Sequence, residues 1–216
     1  MKRKNIIIMS VLVLLIFSCS TTKMLILKNE LNISQKKEFS VSNITIEAPE
    51  KGQNVFTFRD IKTFSLPGTY VEGGGVGIYM PDGEAVTINR ANFEYYLSEN
   101  SDTIFYDALS TMLRTEQTSP YTLRCKADFS YYLPKREFLS NILGISMRLN
   151  MVIIKDSVEV FENNYEVAEE EEYSTAWVTI PGNDLMNGLF NKAVNKIMDQ
   201  LVSDNRIEEA LKNNEH

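Results

Sequence analysis

Apolar and polar residues alternate most regularly in the second half of the chain. Tyr121, Leu123, Cys125, Ala127, Phe129 and Tyr131 interleave with Thr122, Arg124, Lys126, Asp128 and Ser130, the period of a strand with one face in a core. Ile145, Met147, Leu149, Met151 and Ile153 repeat the pattern against Ser146, Arg148 and Asn150. Lys155-Asp156-Ser157 then predicts a tight turn into a strand that starts at Val158 and runs to about residue 167. Ala176, Val178 and Ile180 suggest a shorter strand before Pro181-Gly182-Asn183. Two segments carry helical spacing instead. Ile104, Phe105, Ala108, Leu109, Met112 and Leu113 share a helix face, with Ser101 as N-cap and Thr118-Ser119-Pro120 as a stop. Met186, Phe190, Ala193, Val194, Ile197 and Leu201 form a second stripe, with Asn191, Lys192, Asn195 and Asp199 opposite. Asn183 or Asp184 is the expected cap there, and 207–212 the expected frayed tail.

Earlier in the chain the signals are shorter. Met24-Leu25-Ile26-Leu27 fits a first buried strand or part of a linker, and 39–47 and 54–58 carry β-type runs around a turn at 49–52. Residues 66–83 are dense in glycine and predict a hairpin or irregular loop, with a strand following Asp82-Gly83. The expected fold class is α+β: an antiparallel sheet meander with two amphipathic helices packed on one face, preceded by shorter N-terminal strands.

The N-terminus reads as an address. Lys2, Arg3 and Lys4 precede an apolar run over 6–17, broken only by Ser10 and ending in Ile16-Phe17-Ser18-Cys19. The run falls well short of the about 20 apolar residues that span a bilayer and has the layout of a secretory leader. It resembles a bacterial lipoprotein signal, with small Ser18 before Cys19 and aliphatic Ile16 two residues further back. That resemblance implies thioether lipidation of Cys19, cleavage before it and acylation of the new amine; Phe17 departs from the commonest pattern. Ser20, in place of an aspartate, resembles the sorting signal for the outer membrane. The expected organisation is a signal peptide over 1–18, a lipidated tether over 19–23 and one periplasmic domain over 24–216.

Composition narrows the chemistry. The single histidine is His216, the last of 216 residues, so no internal imidazole exists for a Ser-His-Asp site or an HExxH zinc helix. The net charge of −7 loses three cations with residues 1–18 and becomes about −10, which disfavours a nucleic-acid surface. With Cys19 lipidated, Cys125 is the one remaining thiol, and its place on an apolar strand face makes it a core residue. Gly73-Gly74-Gly75-Val76-Gly77 lacks both P-loop and GxGxxG spacing, so Gly73, Gly74, Gly75 and Gly77 are expected in a flexible hairpin or a partner-contacting loop. Glu169 to Glu172 are expected in a solvated loop, because consecutive glutamates do not converge on a cation. Trp177 falls opposite Ala176, Val178 and Ile180 and is either packed under a loop or a partner contact. No catalytic residue, metal site or cofactor is expected.

From Met24 to Asp204 the layout resembles small Gram-negative envelope lipoproteins, namely the ABC-type transport auxiliary lipoproteins and the lipopolysaccharide-assembly and YajG-like lipoproteins. The carrying residues are Met24-Leu25-Ile26-Leu27 after the lipid, Arg90 with Phe93 before the Ala108-Leu109 helix, the 121–131 strand and Ala193-Val194-Asn195-Lys196-Ile197. The glycine-rich stretch over 68–83 departs from that pattern. The resemblance implies a non-catalytic, membrane-anchored accessory to an envelope transport or assembly complex, and the acidic composition implies no nucleic-acid partner. The alternative is a ligand-binding or surface-exposed lipoprotein that captures glycan or small molecules, which calls for a deep aromatic-lined pocket.

Overall fold

The computed structural model describes residues 20–33, 36–37, 39–64, 86–136, 140–174 and 181–213. In chain order the strands are β1 (Ser20–Leu25), β2 (Ser40–Val41), β3 (Asn43–Glu47), β4 (Asn54–Phe64), β5 (Val86–Leu97), β6 (Arg114–Thr115), β7 (Tyr121–Arg136), β8 (Ser140–Lys155) and β9 (Val158–Ser174). The helices are α1 (Asp102–Met112), α2 (Asn183–Ser203) and α3 (Arg206–Asn213).

The fold is α+β. The meander β7-β8-β9 is antiparallel, as its alternation demands, and β3 adds in parallel at the β7 edge. Helix α2 lies across β8 and β9, and α1 packs on β3 and α2. Phe190 of α2 joins the layers, with its ring centroid 5.0 Å from Phe129 of β7 and 6.0 Å from Phe105 of α1. The β8–β9 connection is a two-residue turn in which Asp156 and Ser157 take φ of 49° and 70°, the twist that suits a tight hairpin. The strands run well past their alternating segments. β7 continues through Pro134, and its pairing with β8 slips between Tyr132 and Lys135, because proline offers no N–H to the ladder.

Several expectations change. The N-terminal strands do not simply precede the meander. β1 pairs in parallel with β5, and β4 with β5 antiparallel, making a second sheet of order β1-β5-β4. β1 begins at Ser20, within the stretch expected to be a polar tether. Helix α1 stops at Met112, and Arg114–Thr115 pairs with β2. Ser101 is the N-cap residue, but its hydroxyl donates to the Pro49 carbonyl at 2.8 Å and caps no helix N–H. The N-cap of α2 is Gly182, not Asn183 or Asp184. The tail beyond α2 is a docked helix, with Ile207 and Leu211 buried in the core. Glu169 to Glu172 lie inside β9, not in a loop. Period two divides them: Glu169 and Glu171 form ion pairs with Lys196 and Lys192 of α2, while Glu170 accepts from the Tyr132 hydroxyl at 3.1 Å.

Candidate functional site

Strand β1 begins at Ser20, the residue after Cys19 in the sequence. Ser20 stands opposite Asn92, and the register runs in step to Leu25 opposite Leu97. Leu25 is fully buried, whereas Met24 and Ile26 remain about half exposed, so the strand is pinned from one side.

After β1 the chain continues as an extended strap over 26–32, held by asparagines of α2. Asn187 donates from Nδ2 to the Ile26 carbonyl at 2.7 Å and accepts at Oδ1 from the Lys28 N–H at 2.8 Å. Asn191 donates to the Lys28 carbonyl at 3.1 Å and accepts from the Glu30 N–H at 3.2 Å. Asn195 accepts from the Asn32 N–H at 3.2 Å. The match is geometric. Four helical residues advance about 6 Å, and two extended residues advance about 6.6 Å, so each asparagine meets the next strap peptide. Asn187 and Asn191 are 3% and 6% exposed, contrary to the solvated face expected for Asn191. The sequence signal was the series Asn183, Asn187, Asn191, Asn195 at four-residue spacing. It escapes a hydropathy pattern because asparagine scores as polar whether it meets water or a peptide.

The strap is also locked beyond the clasp. Lys37, with its side chain 3% exposed, donates to the Asp204 carbonyl at 3.1 Å and pairs with Glu208 at 3.0 Å. Its ammonium therefore sits at the carbonyl end of α2, where the helix dipole favours a cation. Asp204 holds the α2–α3 corner. Its carboxylate accepts two hydrogen bonds from the Arg206 guanidinium, at 2.8 and 2.7 Å, and one from the Tyr165 hydroxyl at 2.9 Å. The Arg206 contact is the main reason its pKa falls to about 2.

The residues singled out from sequence fall in different places. Cys125 is buried on β7, and burial raises its thiol pKa to about 12, which makes it an unreactive core residue. Cys19, Gly73, Gly74, Gly75, Gly77 and Trp177 lie outside the described residues, as does the short strand expected over 176–180. What the structure gives is their neighbours in the chain: Cys19 precedes β1, residues 65–85 join β4 to β5, and residues 175–180 join β9 to Pro181.

Among the described residues, no group of three or more His, Cys, Asp or Glu side chains is placed to hold a metal. Nor is any described helix long and apolar enough to cross a membrane. Two clefts there are open and modest. One of about 330 Å³ lies between β3 and α1, lined by Ile44, Thr103, Tyr106 and Asp107 among others, and one of about 300 Å³ is lined by residues that include Phe39, Tyr121 and Leu211.

No family model matches the sequence, and no curated protein matches it. Solved structures similar to it at low identity include a Xanthomonas campestris protein of the family DUF330, at 13% identity and TM-score 0.41, covering 85% of this chain and 93% of that one. A Caulobacter crescentus protein provisionally named a lipoprotein is similar over 52% of this chain and 85% of its own, at 15% identity and TM-score 0.38. A minor lipoprotein from Acinetobacter baumannii is similar over 76% of this chain and 90% of its own, at 9% identity and TM-score 0.37.

Proposed function

We propose that this protein is a non-catalytic lipoprotein, anchored through Cys19 in the outer membrane with its domain facing the periplasm, and an accessory component of an envelope transport or assembly complex. The observation that carries the proposal is the junction: Cys19, which ends a segment resembling a lipoprotein signal, directly precedes the first residue of β1, Ser20. Several acyl chains on one residue hold a protein stably at a membrane. A parallel strand and an asparagine-clasped strap then carry any load on that anchor into the core. Such an attachment fixes where the domain stands. An accessory protein needs that, together with a contact patch, which we assign to the 73–77 loop and Trp177.

The test is crosslinking in intact cells, purification through the C-terminus and mass spectrometry, with Trp177→Ala combined with replacement of 73–77 as comparison. The expected result is one transporter or assembly component recovered with the wild type and lost with the variant. Recovery of lipid and abundant porins alone would overturn the accessory role in favour of a ligand-capturing lipoprotein.

A further inference from the structure

The register of the second sheet carries one consequence for the membrane itself. β1 covers only half of β5: Ser20 stands opposite Asn92, while β5 begins at Val86. Six residues of β5, 86–91, therefore extend past the N-terminal end of β1, and β4 accompanies them as far as Phe64 opposite Val86. At about 3.3 Å per residue this two-stranded arm is about 20 Å long. The body of the domain lies at the other end of the sheet. There Phe56 meets Tyr131 of β7 at 6.4 Å between ring centroids, the Tyr95 hydroxyl donates to the Pro181 carbonyl at 2.6 Å, and β5 leads into α1.

We infer that the β4–β5 arm lies on the lipid leaflet that holds the anchor. The inference rests on lipidation of Cys19 as proposed above. With acyl chains on Cys19 and no residue between it and β1, the N-terminal end of β1 is held at headgroup level, one Cα–Cα step from the anchor. The acidic body cannot enter the bilayer, so β1 cannot run toward it. The N-terminal side of the sheet consequently faces the membrane, and the arm projects on that side. Because the arm is about 20 Å long and carries Arg59, Lys62 and Arg90, it lies along the headgroups and does not pass through them.

The sequence of the arm suits that surface. Its paired strands carry Arg59, Lys62 and Arg90 against the single acid Asp60. Three cations against one acid give the arm a net charge of about +2 in a mature chain of about −10, which suits anionic lipid. Geometry carries the inference, and composition agrees with it.

The test uses full-length protein matured in cells, purified with its lipid and placed in vesicles of phosphatidylethanolamine and phosphatidylglycerol. Thr63→Cys and Thr87→Cys, which stand opposite each other in the arm, and Glu99→Cys, beyond the far end of β5, each receive an environment-sensitive fluorophore. Cys125 is buried and stays unlabelled. On vesicle attachment the iodide quenching constant should fall about threefold at 63 and 87, headgroup-nitroxide lipids should quench both, and position 99 should change in neither assay. The mass of the Cys19 peptide is measured on the same preparation. A lipidated Cys19 with positions 63 and 87 as open to iodide as 99 overturns the arm placement alone. Shielding from iodide without quenching by nitroxide lipids assigns the arm to a second copy of the chain and equally overturns it. An unmodified Cys19 overturns the anchor and the arm placement together.

Discussion

Gly144 of β8 stands opposite Tyr132 of β7, and the tyrosine ring lies over the glycine. A Cβ at 144 would come within 2.6 Å of Tyr132 Cε2, so even one methyl displaces the ring and its hydrogen bond to Glu170. Gly144→Ala should cost about 1–3 kcal/mol, read as a lower urea midpoint, and pairing it with Tyr132→Ala should recover part of the loss. Asp204 gives a pH prediction with a definite sign. Its pKa of about 2 lies below the about 3.9 of an unfolded aspartate, so the native state favours the charged form. The stability it contributes is complete above about pH 4 and is lost as pH falls through about 2. Asp204→Asn should lower stability at neutral pH and flatten the decline between about pH 4 and 2, measured as chemical-denaturation midpoints across that range. Neither residue announces itself in the sequence. Gly144 interrupts a strand pattern without showing what lies across from it, and the partners of Asp204 include Tyr165 and Asn163 on a different element.

At the scale of elements, legibility follows the range of the forces involved. The alternation over 121–131 and the stripe from Met186 to Leu201 survive in β7 and α2 because each is a local period facing one core. The parallel pairings β1-β5, β2-β6 and β3-β7 were not legible, since they join strands separated by long stretches of chain and leave no local trace. The Gly-rich and Trp177 contacts, the candidate site as the sequence presents it, fall where the structure describes no residues. The clasp is intermediate: its four-residue spacing was visible, its partner strap was not. Asn191 satisfies both the Lys28 carbonyl and the Glu30 N–H. Replacing it with alanine should therefore cost about 1–3 kcal/mol and raise amide exchange along 28–32 without unfolding the sheets, as hydrogen–deuterium exchange would show. Cutting the chain after Asn205 removes Ile207 and Leu211 from the core and should lower stability by about 2–5 kcal/mol, whereas a frayed tail would cost nothing.

On the scale of the whole molecule, the lipid proposed for Cys19 would stand directly before β1, which begins at Ser20, and would couple the height and tilt of the domain to the bilayer. That coupling can be removed without touching the core. Inserting about ten Gly and Ser residues after Cys19, beginning with Ser to preserve the residue that follows the lipid, gives a flexible tether with a span of about 17 Å. The inserted chain keeps the lipid, the membrane fraction and the thermal midpoint, because β1 and its ladder are unchanged. It should free the sheet to rotate, so that the arm leaves the leaflet for much of the time and the partner proposed for residues 73–77 is no longer met at a fixed height. Crosslinking to that partner should fall several-fold while membrane fractionation stays the same. Equal crosslinking with and without the insert would mean that the lipid supplies only local concentration, and that the direct entry of the anchored chain into β1 has no part in orienting the domain.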